Sequence, residues 1–482
     1  MSHLNAIGLE IAVLATGLAL LLLDLWAKPG QRRQLAYGAV LALGAIFVAS
    51  FAVSAPEPRL AFGGLYVLDE LALFFKRFFL LAAVIVLVTE IEFAERLDAG
   101  SSEYHALTLF ALVGMMFAAS ANDFALLFVA LELVTVTFYV LVSYQRRRTP
   151  SLEAGVKYLI LGALSSAFLV YGIALVFGVS GTMNFLHLTA SPPEILQSPL
   201  LAIGLLLVLV GLGFKVAAVP FQIWAPDVCQ GAPLPTTAFL AVGSKATGIV
   251  LLLRVLFVAA PAVTARWNHA LLVVAALTIL YGVLCAIPQR SLKRLMAYSS
   301  IANAGYLLIG VCVGNTEGVA AMLFYLGGYL FAVLAVFLVA TLAWRGTDVD
   351  EIPALAGLSQ RSPFLAGGLT LAMMSLAGVP PLAGFFGKFL LLKAAILGGA
   401  THPGLYWLAG LTIVAVVISL YYYFGVIRAV YWGENPADVS PLAVSWPARA
   451  VLGLCLFGML WLGLFPANVL NLAQIAAAAI KF

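Results

Sequence analysis

Long apolar stretches follow one another along the whole chain, separated by short segments that contain Gly, Pro, Asn or charged residues. A helix of about 20 apolar residues covers the hydrocarbon core of a bilayer. Fourteen such stretches are predicted as membrane spans, and they lie at 6–26, 35–54, 72–92, 105–121, 123–144, 152–178, 200–227, 235–259, 268–287, 294–314, 318–344, 363–398, 404–431 and 447–470. The stretches do not alternate apolar and polar residues, which disfavours an outer-membrane barrel. The sequence therefore predicts an all-α integral membrane protein with about fourteen transmembrane helices.

The composition excludes several other classes of protein. Charged residues make up 10% of the chain, against roughly 25% in a soluble domain. The net charge is +4 and no basic run exceeds Arg146–Arg148, so nucleic-acid binding is not indicated. The four cysteines lie far apart, and the five histidines fall at span ends or in loops. We therefore predict no metal site and no bound cofactor in this chain.

The distribution of basic residues predicts the orientation in the membrane. Loops after odd-numbered spans are rich in Lys and Arg, whereas loops after even-numbered spans carry only Arg59, Lys76, Arg77 and Arg266. The positive-inside rule then places both termini on the outer face. The first residues lack a basic region of the kind that opens a signal peptide, so the first apolar stretch is interpreted as a retained span.

Two spans contain prolines where a continuous helix would need backbone donors. Pro220 interrupts span seven, and Pro380 and Pro381 interrupt span twelve. Because the two breaks lie five spans apart, spans 4–8 and 9–13 are predicted to be two inverted five-helix repeats with discontinuous helices, an arrangement typical of ion transport. The corresponding predicted segments are 1–104, 105–265, 266–433 and 434–482.

Five charged residues inside the predicted spans are singled out as candidates for a functional site: Glu132, Lys157, Lys215, Lys245 and Lys388. Each costs roughly 2.5 to 3.5 kcal/mol at the bilayer centre, and intramembrane ionisable residues usually mark a functional site. Lysine suits proton transfer because desolvation lowers its proton affinity and a nearby carboxylate raises it, whereas arginine stays protonated. The alternative is that these charges are structural ions paired between helices, or that Lys157, near a span end, extends to the surface.

Helical spacing places polar or small residues beside these charges. One face carries Glu132, Thr135, Tyr139 and Ser143, and another carries Lys245, Thr237, Ala241 and Gly248. We expect the hydroxyl and small residues to leave room for water, which predicts a hydrated interior.

Several motifs resemble those of a known family. They are Asn122-Asp-Phe, Glu132-Leu-Val, Glu153-Ala-Gly-Val-Lys157, Gly213-Phe-Lys215, Trp224-Ala-Pro-Asp-Val, Gly231-Ala-Pro, Gly243-Ser-Lys245, Lys293-Arg-Leu-Met-Ala-Tyr298-Ser-Ser and Gly384-Phe-Phe-Gly387-Lys388. From about residue 105 to 430, the chain is similar to the antiporter-like membrane subunits of respiratory complex I, the proton-pumping NADH:quinone oxidoreductase. Mrp-type sodium/proton antiporters share this family. The residues around Lys157 and Lys388 resemble bacterial subunit N more than subunit L or M.

The resemblance implies a role for each intramembrane charge. Glu132 and Lys215 would form the ion pair of a first half-channel, Lys245 would be the central proton carrier, and Lys388 would face a second half-channel and the outer side. Lys157 would join the input path. The sequence departs from the family at Gln222 and Asn303, where relatives often carry histidine, and neither amide can titrate near neutrality. Water or Tyr306 would have to carry protons there.

The resemblance also implies a function and a setting. The chain would translocate protons in the bacterial inner membrane, driven by redox chemistry in other subunits that hold flavin and iron–sulfur clusters. Its partners would be neighbouring membrane subunits, above all subunit M and small membrane subunits, together with lipids. Two alternatives stay open: a freestanding or Mrp-type cation/proton antiporter, and a membrane subunit whose charges serve only to pair helices.

Overall fold

The structure, a computed structural model, describes residues 3–97, 100–345, 349–433 and 440–480. The helices of the first half are α1 (His3–Ala6), α2 (Gly8–Asp24), α3 (Arg32–Ser50), α4 (Glu70–Phe93), α5 (Ser101–Ala119), α6 (Phe124–Val142), α7 (Thr149–Ser180), α8 (Phe185–Thr189), α9 (Pro193–Leu196), α10 (Pro199–Val216), α11 (Trp224–Gly231), α12 (Leu234–Phe239) and α13 (Lys245–Leu253). Those of the second half are α14 (Pro261–Ala286), α15 (Leu292–Val313), α16 (Thr316–Ala343), α17 (Leu358–Arg361), α18 (Pro363–Ala377), α19 (Ala383–Gly398), α20 (Gly404–Trp432), α21 (Trp446–Leu464) and α22 (Ala467–Ala478).

The all-α prediction is confirmed, with one exception in the described residues. Strands β1 (Arg59–Ala61) and β2 (Tyr66–Leu68) form an antiparallel hairpin between α3 and α4. The sequence analysis assigned no strand to this segment. The hairpin leads directly into α4, where Asp69 at the N-cap and Lys76 in the second turn are buried.

Twelve helices in the described residues are long and apolar enough to cross a membrane. The first predicted span corresponds to α2, which has 17 residues. The twelfth is divided between α18 and α19, and the last ends at Leu464, with the additional helix α22 after it. The count of fourteen, the two inverted repeats and the segment boundaries stay predictions.

Both predicted helix breaks are present. In the first, α10 ends at Val216, Ala217 has a left-handed conformation (φ +60°), and α11 begins at Trp224. In the second, α18 ends at Ala377 and is followed by Gly378, with φ +88°. Glycine reaches this region without steric cost. Each half-helix therefore ends within the apolar sequence and leaves backbone carbonyls free for other donors.

The spans differ in how far neighbouring helices cover them. The most buried candidate spans are α15, the segment 234–259 and α16, at 100%, 94% and 89% of their apolar windows. In contrast, a third or less of the apolar stretch is buried in α3, α7 and α14. Polar groups at membrane depth are tolerated where protein surrounds them. The central helices can therefore hold charges that lipid-facing helices could not.

Candidate functional site

Four lysines were predicted inside spans, and three of them are buried. Lys215, Lys245 and Lys388 are 3%, 4% and 5% exposed. In the described part of the chain, none of these three amines lies within 4.0 Å of a carboxylate. A buried charge without a counter-ion is expensive. Each amine must therefore be stabilised by neutral oxygen atoms, or lose its proton.

Lys215 and Glu132 do not form the direct ion pair that the resemblance implied. The Lys215 Nζ donates to Thr135 Oγ1 at 2.5 Å. Half-buried Glu132 lies one helical turn before Thr135 on α6, and its Oε1 accepts from Ser166 Oγ at 2.5 Å. Thr135 therefore holds the amine close to the carboxylate while the two charges stay apart.

Tyr139 lies on the same face of α6, as the spacing predicted. Its ring packs edge-on against Tyr158, with 5.2 Å between centroids. Tyr158 in turn packs against Trp224 at the start of α11, at 4.9 Å. Aromatic rings thus connect the polar face of α6 to the first helix break, where Lys215 lies.

Lys245 begins α13 directly after a π-helical turn, Leu240–Ser244. Its Nζ donates to both the carbonyl and the hydroxyl oxygen of Ser300 on α15. Tyr329 on α16 donates to the same hydroxyl at 3.0 Å. A second π-helical segment, Arg254–Ala259, follows α13. Such turns are rare in proteins overall but common at functional sites. Neither turn was predicted from the sequence.

The expectation that small residues leave room for water beside Lys245 is wrong at Gly248. A Cβ atom at Gly248 would lie 2.9 Å from Val216 and 3.2 Å from the Cβ of Lys215. The missing side chain lets α13 approach α10 closely, so that neighbouring residues fill the space. The Thr237 hydroxyl is also not free to bind water as a donor, because it donates to the Cys229 and Pro233 carbonyls at 3.0 and 3.1 Å.

A line of hydroxyl and amide groups on α15 and α16 continues from Ser300. Asn303 Nδ2 donates to the Ser299 carbonyl at 2.8 Å, and Tyr325 donates to Asn303 Oδ1. The Ser299 hydroxyl shares a hydrogen bond of 2.5 Å with Tyr423. Sequence reasoning singled out Asn303 only as a departure from the family and missed its partners. In the structure Asn303 is the centre of this buried network.

Lys388 binds the carbonyl group freed by the second helix break. Its Nζ donates to the Leu376 carbonyl at 2.6 Å, one residue before the end of α18. The amine also lies 5.3 Å from the ring centre of Tyr306. Carbonyls at a helix C-terminus carry a partial negative charge that favours a cation. The predicted lysine and the predicted break thus form one site.

The two lysines beside the breaks occupy different places. Lys215 lies two residues before the left-handed residue Ala217, whereas Lys388 lies ten residues after the left-handed residue Gly378. Lys215 therefore belongs to the half-helix that ends at the break, and Lys388 to the helix that follows it.

Buried polar atoms without a hydrogen-bond partner also lie near these lysines. Among the described residues they include Tyr139 OH, Gln222 Oε1 and Tyr306 OH. An unpaired buried polar group costs about 1–3 kcal/mol, and buried water usually removes that cost. All three are residues that the sequence analysis named in connection with the path. Their unpaired atoms favour hydration there.

Lys157 is separate from the buried lysines. Its side chain is 42% exposed and forms ion pairs with Glu153 at 2.7 Å and Asp227 at 2.9 Å. These residues line a cavity of about 390 Å³, together with Arg148, Lys293, Arg294 and Asp350. The cavity residues come from segments after odd-numbered predicted spans, which the positive-inside rule assigns to the inner face. Lys157 therefore lies at a polar cavity on the predicted inner side.

Further buried charges lie outside the five that the sequence analysis singled out, and their pairs involve the N-terminal spans. Lys76, which the sequence analysis counted with the basic loop residues, is fully buried in α4 and pairs with Glu10 at 2.8 Å. Arg254 makes a two-pronged contact with Asp69, at 2.9 and 2.8 Å. These pairs join elements far apart in sequence, so spacing along one helix could not reveal them.

Another buried contact joins α4 to α5. His105 Nδ1 lies 2.7 Å from Glu90 Oε2. Within the part of the chain that the structure describes, no three or more His, Cys, Asp or Glu side chains form a cluster suited to a metal ion.

Comparisons with known proteins agree on one family. A family model described as NADH:quinone oxidoreductase/Mrp antiporter, TM, matches residues 121–419. NADH-quinone oxidoreductase subunit N of Moorella thermoacetica is 39% identical over 477 residues, covering 99% of each chain. A chain of respiratory complex I from Thermus thermophilus with bound aureothin is 35% identical, with a TM-score of 0.80 over 97% of this chain and 99% of that one.

A chain of the Mrp complex from Dietzia has the same fold, with a TM-score of 0.86 at 23% identity, covering 100% of this chain and 98% of that one. The family model and the full-length similarity to subunit N agree with the motifs around the buried lysines. The chain therefore belongs to the NADH:quinone oxidoreductase/Mrp antiporter transmembrane family and, within it, to the NADH-quinone oxidoreductase subunit N group.

Proposed function

We propose that this chain is a proton-translocating subunit in the membrane arm of an NADH:quinone oxidoreductase. Protons move along Glu132, Lys215, Lys245 and Lys388 through hydroxyl groups and water, and redox chemistry in other subunits supplies the energy. The observation that carries this proposal is the environment of Lys245 and Lys388. Both amines are buried, and both bind neutral oxygen atoms.

Neutral acceptors allow a lysine to change its protonation state. A lysine paired with a buried carboxylate would leave that carboxylate uncompensated when it lost its proton. A lysine bound to a carbonyl or a hydroxyl leaves no charge behind. Moving one elementary charge across 100 mV requires about 2.3 kcal/mol. The surroundings of a buried lysine can change its proton affinity by that amount.

Thr135 supports a mechanism with two arrangements of Lys215. In the arrangement described above, the amine is bound to Thr135 and apart from Glu132. In the other, the ammonium pairs with Glu132, and the carboxylate holds the proton on the amine. Redox chemistry elsewhere shifts the balance between the two. When the pair opens, the proton affinity of Lys215 falls and the proton passes by water towards Lys245.

Beyond Lys245 the polar line on α15 and α16 extends the path. Ser300 contacts Lys245 directly, Asn303 lies one turn further along α15, and Tyr306 lies one turn beyond Asn303, beside Lys388. Asn303 cannot titrate. Water held by Asn303 and Tyr306 therefore carries the proton where a histidine would do so in relatives.

The proposal includes an assembly and an orientation. The chain spans the bacterial inner membrane with both termini on the outer face and lies beside subunit M, small membrane subunits and lipids. It holds no redox centre of its own, and the flavin and iron–sulfur clusters belong to partner subunits. Relatives named as subunit N, at 39% identity over the full chain, support this assignment.

Lys388→Met in the assembled complex tests the proposal. We expect the variant complex to assemble and to show a lower proton-to-electron ratio or a lower turnover in proteoliposomes, because methionine fills the space but carries no proton. Lys393→Met is the matched control, since Lys393 is an exposed residue of the same helix. A Lys388→Met complex that pumps and turns over like Lys393→Met would contradict the proposal.

A second candidate function is cation/proton exchange by a freestanding or Mrp-type antiporter. The fold shared with a chain of the Mrp complex favours it. Purification of the native chain in mild detergent discriminates the two candidates. Co-purification with hydrophilic partners that carry iron–sulfur absorption supports the oxidoreductase. Isolation without them, together with sodium-dependent proton exchange in vesicles, supports the antiporter.

A further inference from the structure

Lys293 is a buried lysine that the path described above does not use. It lies in the first turn of α15 and is 5% exposed. Its Nζ donates to the Ala232 carbonyl at 2.8 Å. It also lines the 390 Å³ polar cavity that contains Lys157. Lys293 is therefore in contact with the predicted inner entrance and with the segment that leads into α12.

The two carboxylates that line the cavity beside Lys293 and Arg294 bind residues other than Lys293. Asp227 binds Lys157 and Arg294, at 2.9 and 2.7 Å. Asp350 accepts from the Ser291 hydroxyl at 2.7 Å. Among the described residues, no carboxylate lies within 4.0 Å of the Lys293 amine.

The neighbouring Arg294 provides a contrast on the same helix turn. It forms an ordinary ion pair with Asp227, whereas Lys293 binds a main-chain carbonyl. Lys245 and Lys388 also donate to main-chain carbonyls. Lys293 thus shares the surroundings of the two proton-carrying lysines of the proposed function, and differs from the paired arginine beside it.

The geometry of α15 connects Lys293 to Lys245. Ser300, the acceptor of Lys245, lies seven residues after Lys293 and therefore on the same helix face. The two positions are about 10 Å apart along the helix axis. Both side chains of α15 point towards the segment that begins at Ala232 and continues into α13. One face of α15 therefore extends from the cavity to the central lysine.

We propose that Lys293 is a further proton carrier, which takes protons from the inner cavity and passes them to Lys245. The inference rests on the proposed function and adds an entry step to it. A hydrated proton from the inner side crosses the cavity and protonates the neutral Lys293 amine, leaving water behind. The resulting ammonium then releases its proton to water between α15 and α12, and that water protonates the neutral amine of Lys245. Each step moves one proton and needs no other reactant.

The rival explanation is that Lys293 only binds the carbonyl at the end of α11. Lys293→Arg separates the two, because arginine keeps the charge and the donor but does not release a proton near neutrality. Lys293→Gln is a second variant that keeps a donor without a titratable group. If Lys293 carries protons, we expect both variants to assemble and to lower the proton-to-electron ratio or the turnover as far as Lys388→Met does. Arg294→Lys, which keeps the charge of the paired neighbour, should pump like wild type.

The readouts are the amount of variant subunit in the purified complex, quinone reduction and proton uptake into proteoliposomes. Normal pumping and turnover in either assembled Lys293 variant would overturn the inference, since a carbonyl-binding role alone tolerates both replacements. Comparison with Lys388→Met shows whether such a result contradicts only the role of Lys293 or the proposed function as a whole. If Lys388→Met is defective and Lys293→Arg is normal, only the entry step is wrong. If both are normal, the proposed function is wrong as well.

Discussion

Thr135→Val tests the open arrangement of Lys215 directly. In the structure the Thr135 hydroxyl accepts from Lys215 Nζ at 2.5 Å and donates to the Leu131 carbonyl at 2.7 Å. Valine has nearly the same shape as threonine but cannot accept a hydrogen bond. The substitution therefore removes the neutral acceptor that holds the amine apart from Glu132.

The size of the effect follows from the strength of that hydrogen bond. A hydrogen bond to a charged group contributes about 1.5–3 kcal/mol, and each 1.4 kcal/mol changes an equilibrium about tenfold. We expect Thr135→Val to shift the balance towards the Glu132–Lys215 ion pair by roughly 10- to 150-fold. If proton release requires the open arrangement, proton translocation should fall by up to the same factor.

Thr137→Val is the matched control on the same helix. The Thr137 hydroxyl donates to the Leu133 carbonyl at 2.6 Å, as Thr135 does to Leu131. It has no contact with Lys215 in the described structure. The assay is NADH-driven proton uptake by proteoliposomes that contain the purified complex, with quinone reduction measured in parallel. Equal pumping by the two variants would refute the role given to Thr135.

Two further predictions concern stability. Gly378→Ala places a side chain at φ +88°, with its Cβ 3.2 Å from the Lys388 side chain. The substitution should lower the free energy of unfolding by about 1–2 kcal/mol and should also lower proton pumping. Thermal unfolding and proton uptake measure the two effects, and Gly367→Ala, whose added Cβ meets no atom within 4 Å, is the control. Asp69→Asn leaves the buried Arg254 without its counter-ion and should cost about 3–5 kcal/mol, seen as a lower melting temperature and less assembled complex.

The membrane spans were predictable because a helix that crosses a bilayer needs about 20 apolar residues. The stretches that contain Glu132 and Lys245 were recognised as spans because single charges do not cancel an apolar stretch of 20 residues. The breaks were predictable for a related reason, since Pro220 and Pro381 remove backbone donors that a continuous helix needs. The residue at which each half-helix ends was not predictable. A residue in the left-handed conformation ends each one, and at the first break that residue is Ala217, although alanine does not favour this conformation.

The polar network between the lysines was not predictable from one chain. A hydroxyl in an apolar helix usually donates to the carbonyl four residues earlier, as Thr341 does to Phe337 at 2.7 Å. Ser299 and Ser300 are the same residue type, but they bond across to Tyr423 and Lys245. The difference depends on which helix lies opposite, and that is a property of tertiary packing.

The buried charges of this chain fall into two groups, and the groups differ in what they can do. Lys76 in α4 and Arg254 in the segment after α13 are paired with carboxylates of the N-terminal part. Removing a proton or a charge from such a pair leaves its partner uncompensated, at a cost of about 3–5 kcal/mol.

Lys245 and Lys388 bind neutral oxygen atoms instead, so they can lose a proton without that penalty. A chain that needed charges only to hold helices together would gain from pairing all of them. Carboxylate partners are present at the N-terminal spans and absent from both of these lysines among the described residues. That difference is what a proton path requires and a structural role does not explain.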